Sequence, residues 1–144
     1  MKLRAARDDD RDAIIALLDA ESLPTSDLWN RALEDFIVAE NEGSVVGCIG
    51  AEVLGGTALL RSLAVGVTSR RQGLAGRLIE SLEFKLLEHG VVDSWLLTID
   101  ASDFFLRHGY WVQSREDVPD AIRRTDEFSS LCPGTAIVMS KPLA

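Results

Sequence analysis

The sequence predicts a mixed α/β fold of the α+β type: a central, mostly antiparallel sheet of about seven strands with helices on both faces. Two observations predict it. Short apolar runs bounded by Gly, Asn and Pro recur along the chain and read as strands. One long helical pattern, residues 70 to 89, lies between two of those runs and supplies the crossover that a parallel strand pair needs.

In chain order, "KLRAA" is a short extended start. "DDDRDAIIALLDAE" follows with acids in its first turn, where the helix dipole favours them, and with Ile14, Leu17 and Leu18 at helical spacing. After "SLPTSD", punctuated by Pro24 and Ser26, "LWNRALEDF" is expected to form a second short helix with Trp29, Leu33 and Phe36 on one side. "FIVAE" and "SVVGCIGAEVL" read as a hairpin around "NEG", with Asn41 and Gly43 supplying the turn. Gly55 and Gly56 make a further turn and "TALLRSLAVGV" continues as a strand, so three strands pair antiparallel.

The long helix carries Leu74, Leu78, Leu82 and Leu86 at i+4 spacing, with Ile79 and Leu87 alongside, which gives one broad apolar face. Gly90 ends it. "DSWLLTI" reads as a buried strand, "ASDFFLRHG" as a short helix closed by Gly109, and "YWVQSR" as another strand. "VPDAIRRTDEF" opens on Pro119 and is expected to add one or two helical turns, as a substrate-covering segment or as plain surface. "TAIVMSK" supplies the last strand. No repeat or linker interrupts the pattern, so residues 1–144 are expected to form a single domain, a length that buries roughly two-thirds of the unfolded surface.

Charge narrows the partners. A formal net charge of -8 makes nucleic acid an unfavourable ligand, because nonspecific affinity for a phosphate backbone comes from clustered Lys and Arg. The local exception is Arg70, Arg71 and Arg77, where a small anion is attracted. No run of eighteen apolar residues occurs, so no membrane span is expected, and "MKLRAARDDDRDAI" has no apolar stretch of the signal-peptide kind. The expectation is a cytoplasmic protein. Cys48 and Cys132 stand far apart and near no histidine, which matches neither a disulfide framework nor a metal-ligand spacing.

The junction "LLRSLAVGVTSRRQGLAGRLIESL" carries the chemistry. A helix start presents unpaired N–H groups and the positive end of the dipole, so residues 71 to 76 suit an anion where no side chain blocks the approach. Gly73, Ala75 and Gly76 leave it open. A glycine-tolerant helix entry with solvated arginines would produce the same pattern, and both readings stand at this point.

The stretch resembles the coenzyme A signature of the GNAT N-acetyltransferases, Q/R-x-x-G-x-G/A at a strand-to-helix step, matched here by Arg70, Gly73 and Ala75. The likeness extends to the "AENEGSVVG" hairpin, the "LAV" strand, "WLLTI" and "FFLRHGY", the last in place of the family's F-Y/F-x-x-x-G-F/Y. "LLRSLAV", "LLT" and "TDEFSSLCPGTAIVMSK" further resemble the arsenic-resistance-associated GNAT proteins, a branch similar to the acetyltransferase domain of N-acetylglutamate synthase. The resemblance implies the GNAT fold, with the fourth and fifth strands splayed, and acetyl-CoA as co-substrate.

Residue by residue, the resemblance implies a pantetheine arm bonded by the backbone of Leu63, Ala64 and Val65, with a Leu63 N–H facing the thioester oxygen. It assigns the pyrophosphate to Arg70, Arg71, Gln72 and Gly73 and to the following Leu74, Ala75, Gly76 and Arg77. Ser102 and Phe105 join this cofactor set. Phe105 stands where many relatives carry a tyrosine general acid and cannot donate a proton, so packing is its expected contribution. Tyr110, the only tyrosine, falls at a position that is usually core. Relatives also keep a glutamate on the fourth strand, whereas this strand has Arg61 and Ser62. Glu52 on the neighbouring strand is the nearest replacement as general base, against a solvated strand residue. Arg61 faces solvent, pairs with an internal acid such as Glu52, or binds a substrate anion together with Ser62 and Thr98. Ordinary capping explains Thr98 and Ser102 equally well.

The expected function is direct acetyl transfer from acetyl-CoA to the amine of a small amino-acid-like substrate, an amino acid or a phosphinic or arsenical analogue. The alternative is a catalytically silent module that binds acetyl-CoA and regulates a partner. No metal is expected: His89 and His108 each end a helix. Cys132 reads as a small hydrophobe in preference to an acetyl or arsenical ligand. Many relatives dimerise through their C-terminal strands, so monomer and homodimer both stay open.

Overall fold

Seven strands form one sheet in the order β1-β2-β3-β4-β5-β7-β6 in the computed structural model, which describes residues 1–131 and 134–144. The expectation for Cys132 lies outside the described residues. The chain divides into two compact units, one of residues 1–51 and 61–85, the other of residues 52–60 and 86–144.

In the first unit β1 (Lys2–Ala5) pairs antiparallel with β2 (Phe36–Asn41), Leu3 opposite Ala39. α1 (Arg11–Ala20) follows a single 3-10 turn, Asp8–Asp10, and buries Ile14, Ile15 and Leu18. Arg4 closes the end of β1 onto this turn: its Nη1 and Nη2 donate to the two Asp10 carboxylate oxygens at 2.7 and 3.0 Å, and its Nε donates to Glu40 at 2.8 Å. β3 (Ser44–Leu54) pairs antiparallel with β2 through a tight turn in which Glu42 and Gly43 both take positive φ, 52° and 81°. The turn is therefore Glu42–Gly43. Asn41, expected within it, is instead the last strand residue and pairs with Ser44. The core gathers Ile14, Leu18, Leu28, Leu33, Phe36, Val38, Cys48 and Ala64.

The second helix expected at "LWNRALEDF" does not form; turns and bends fill that stretch. Arg11 explains this in part. Its Nη1 donates to the carbonyls of Leu28 and Arg31 at 2.5 and 2.6 Å, acceptors that a helix would give to its own amides. Leu28 and Leu33 still reach the core, while Trp29, expected beside Leu33, is 57% exposed.

β4 (Thr57–Val65) leads through the 3-10 turn Val67–Ser69 to α2 (Leu74–Glu88). The helix starts four positions after Arg70, where the sequence pattern placed it, because Arg71 and Gly73 both adopt positive φ, 65° and 73°, outside the helical region. Leu74, Leu78, Ile79, Leu82 and Leu86 are buried as their spacing predicts, whereas Leu87, expected alongside them, is exposed, and Gly90 at φ 86° ends the helix.

In the second unit β4 pairs parallel with β5 (Asp93–Thr98) from Thr57↔Asp93 to Leu59↔Trp95, and β4 then continues to Val65. β5 pairs antiparallel with β7 (Ile137–Pro142), which pairs antiparallel with β6 (Trp111–Gln113). α3 (Ser102–Arg107) ends before Gly109 at φ 91°. α4 (Asp120–Arg123) follows Pro119 at its N-cap, and a π-helical turn spans Glu127–Leu131. The core here is Leu59, Trp95, Val118, Ile122 and Val138.

Candidate functional site

In the first unit, the end of β4 is irregular at one residue. Ser62 holds φ 59°, a left-handed conformation that a residue with a Cβ adopts only at a cost of roughly 1–2 kcal/mol. Its neighbours keep it there. The Cys48 thiol donates to the Ser62 carbonyl at 3.3 Å and Arg61 Nε donates to Ser62 Oγ at 2.9 Å. Leu63 and Val65 follow as half-buried residues on either side of buried Ala64.

Of the alternatives open for Arg61, pairing with an internal acid is the one seen, with Asp27 as that acid. Its side chain is 0% exposed, and its fork meets Asp27: Nη1 to Oδ2 at 2.5 Å and Nη2 to Oδ1 at 2.8 Å. The carboxylate in front of Arg61 thus belongs to the chain itself, so neither a solvent-facing nor a free substrate-clamping guanidinium is present. Burial pushes the Asp27 carboxyl up, but the Arg61 hydrogen bonds and charge, with Arg31 behind them, outweigh burial and hold it below the usual range. Sequence reasoning missed Asp27. It lies in a polar turn, "PTSD", whose composition signals a loop and not a buried anion.

Cys48 is buried, and burial pushes its thiol up to about 12, so it is a structural donor and no nucleophile at neutral pH.

Beyond β4 lies the helix entry to which the resemblance assigns an anion. The first α2 hydrogen bond runs from the Arg77 amide to the Gly73 carbonyl at 3.1 Å, which leaves the amides of Leu74, Ala75 and Gly76 without acceptors inside the helix. A Cβ on Gly73 would meet nothing within 4 Å, so the approach there is open. Arg71, Gln72 and Arg77 are exposed beside it. Arg70 differs from expectation: its Nε donates to the Val65 carbonyl at 3.1 Å and its guanidinium pairs with Glu21, so its charge ties the loop down and is already met.

The other singled-out residues lie in the second unit. Glu52 is only 8% exposed, which removes the solvated alternative. Thr98 Oγ1 accepts from the Ala101 amide at 3.1 Å in the turn before α3, whose N-cap, Ala101, carries no side-chain cap, and half-buried Ser102 opens the helix. Phe105 is buried edge-on against Tyr110 at 5.8 Å between centroids, and the Tyr110 hydroxyl donates to Ser94 Oγ at 2.8 Å inside the core. His108 stacks near Phe104 at the end of α3. Among the described residues no three His, Cys, Asp or Glu side chains gather as a metal site, and no helix is long and apolar enough to cross a membrane.

Comparison with known proteins identifies the family and fold. A family model described as an acetyltransferase (GNAT) domain matches residues 32–112. An uncharacterized N-acetyltransferase of Chlorobaculum tepidum is 39% identical over 93 residues, covering 64% of this chain and 59% of that protein. The chain therefore spans less than two-thirds of that relative's length. Among solved structures, Rv2747 from Mycobacterium tuberculosis in complex with CoA matches with a TM-score of 0.86 and 24% identity over 100% of both chains. N-acetylglutamate synthase from Neisseria gonorrhoeae, complexed with coenzyme A and N-acetyl-glutamate, also reaches 0.86 at 18% identity, over 99% of this chain and 35% of that one.

Proposed function

This chain belongs to the GNAT acetyltransferase family, and on that premise we propose that it is an acetyl-CoA-dependent N-acetyltransferase acting on the amine of a small amino-acid-like substrate. The observation that carries the proposal is the junction after β4: left-handed Gly73 with open space above it, followed by three helix-start amides. In our reading those amides, with Arg71 and Arg77, hold the pyrophosphate of coenzyme A. The backbone of Leu63, Ala64 and Val65 bonds the pantetheine arm as an added strand would.

Transfer is then direct. The amine nitrogen attacks the thioester carbonyl carbon, the C–S bond breaks, and the CoA thiolate leaves and takes a proton from water. The Leu63 N–H donates to the carbonyl oxygen as negative charge develops there. Glu52 accepts the proton of the ammonium group, directly or through water. A carboxylate-bearing acceptor fits the company of relatives, since one similar structure holds N-acetyl-glutamate. Phosphinic and arsenical amino-acid analogues belong to the same class, as the resemblance to the arsenic-resistance branch implies. We further take residues 1–144 as a single cytoplasmic domain, with monomer and homodimer distinguished by sedimentation.

The test is thiol release from acetyl-CoA across a panel of amino acids and phosphinic or arsenical analogues. Amine-dependent release supports the proposal and names the acceptor class. A second reading, a silent acetyl-CoA-binding module, draws on Phe105 packed where relatives hold a tyrosine. It takes the lead if calorimetry shows acetyl-CoA binding while no amine raises release above background.

A further inference from the structure

Three observations in the first unit concern the same short stretch. A residue with a Cβ sits in the left-handed region within β4, at Ser62. The group that holds its side chain is the Nε–H of Arg61, at 2.9 Å. Arg61 is itself fixed by a bidentate pair with Asp27, which comes from the turn-rich segment before β2. The left-handed conformation does not persist unless its surroundings over-determine it.

We infer that Asp27 is a positioning residue: through Arg61 it holds Ser62 left-handed and so sets the direction of the backbone at Leu63, Ala64 and Val65. A bidentate carboxylate fixes both the rotation and the tilt of a guanidinium plane, whereas a single hydrogen bond leaves rotation free. With the plane fixed, the Nε–H points along one direction, and Ser62 Oγ lies on it. The Cys48 thiol secures the other side of the same residue at its carbonyl. Burial of the Arg61 side chain excludes the water that would otherwise compete for these bonds. The effect on turnover rests on the proposed acetyl transfer, because it reads Leu63 to Val65 as the acyl-donor stretch. The effect on the backbone does not.

The test is therefore double. In isotope-labelled protein, the Ser62 13Cα and 13Cβ shifts report its backbone conformation without any turnover. Asp27→Asn is expected to move them from left-handed toward extended values. It is also expected to lower kcat about tenfold while changing the acetyl-CoA KM less than about threefold, the split expected when reacting groups are misplaced but binding persists. In a Ser62→Gly background the same Asp27→Asn step is expected to change kcat less than about threefold, since glycine takes positive φ without a Cβ clash. Unchanged Ser62 shifts in Asp27→Asn overturn the inference, and so does an equal kcat loss in both backgrounds. Asp27→Glu, which keeps the charge and adds one methylene, provides the same readouts if Asp27→Asn fails to fold. Wild-type protein that releases no thiol with any amine sinks the acetyl-transfer reading, and the Ser62 shifts then decide the positioning role alone.

Discussion

The Phe36 ring lies over Gly50, its cross-strand partner in the β2–β3 ladder, so closely that a Cβ on Gly50 would stand 2.4 Å from the ring. Phe36 is 1% exposed and belongs to the core of the first unit, so the ring has no free volume to retreat into. Gly50→Ala is therefore expected to destabilise the protein by about 1–3 kcal/mol through overpacking. Denaturant midpoints check this. The loss should shrink when Phe36→Leu is added, and an additive double mutant would remove ring contact as the cause.

Gly73 combines φ 73° with open space, so two substitutions separate its two properties. Gly73→Ala strains the backbone, at roughly 1 kcal/mol, and leaves the approach open. Gly73→Glu adds bulk and negative charge beside the helix-start amides. Calorimetric CoA binding should survive the first and be abolished by the second; unchanged affinity in Gly73→Glu would rule out the cradle.

Glu52 and Tyr110 make a contrasting pair of buried groups in the second unit. Glu52→Gln is expected to lower kcat about 100-fold if it takes the substrate proton, with acetyl-CoA affinity unchanged by calorimetry. Tyr110→Phe breaks the buried bond to Ser94 and should cost about 1 kcal/mol of stability at constant kcat. A kcat collapse in Tyr110→Phe would move the proton chemistry from Glu52 to the tyrosine.

Acid should loosen the first unit at Asp10. The Arg4 hydrogen bond holds its carboxyl below the usual range, against burial that pushes it up, and the Arg7 amide adds to the lowering. Glu40 is lowered by the same Arg4. A depressed folded pKa means the stabilisation is fully present above the unfolded values, 3.8 and 4.5, and is lost as pH falls through the folded ones. Thermal midpoints of wild type and Asp10→Asn should differ at neutral pH and converge as the pH drops below that range. A constant difference down to acid pH would show that Asp10 stabilises by packing and not by charge.

Much of the fold was legible in the residues because its signals are local. The i+4 leucines of α2, the glycines at 90 and 109, and the apolar runs of the strands each act within a few positions, and all appear where expected. Two exceptions share one cause. "LWNRALEDF" has helical spacing, yet Arg11, far away in sequence, takes two of the carbonyls a helix would use. Arg61 was legible as an oddity, a charge inside an apolar strand. Its partner Asp27 was not, because 34 positions separate them and the turn around Asp27 carries no sign of burial.

Most strand runs, the long α2 pattern and the glycine-opened helix entry after β4 were written in the residues, though the second short helix they also suggested does not form. These rest on periodicity and on backbone freedom, which each short stretch carries alone. Three-dimensional packing chose which charges meet partners within the chain: Arg61 on buried Asp27, Arg4 on Asp10 and Glu40, and Arg70 on Glu21 in a partly exposed loop. It also decided that Ser62 is held left-handed, since a serine leaves no local mark of that conformation and the bonds that impose it come from Cys48 and Arg61. Buried ion pairs are chosen by which groups leave water together, and that depends on three-dimensional neighbours that no window of sequence contains.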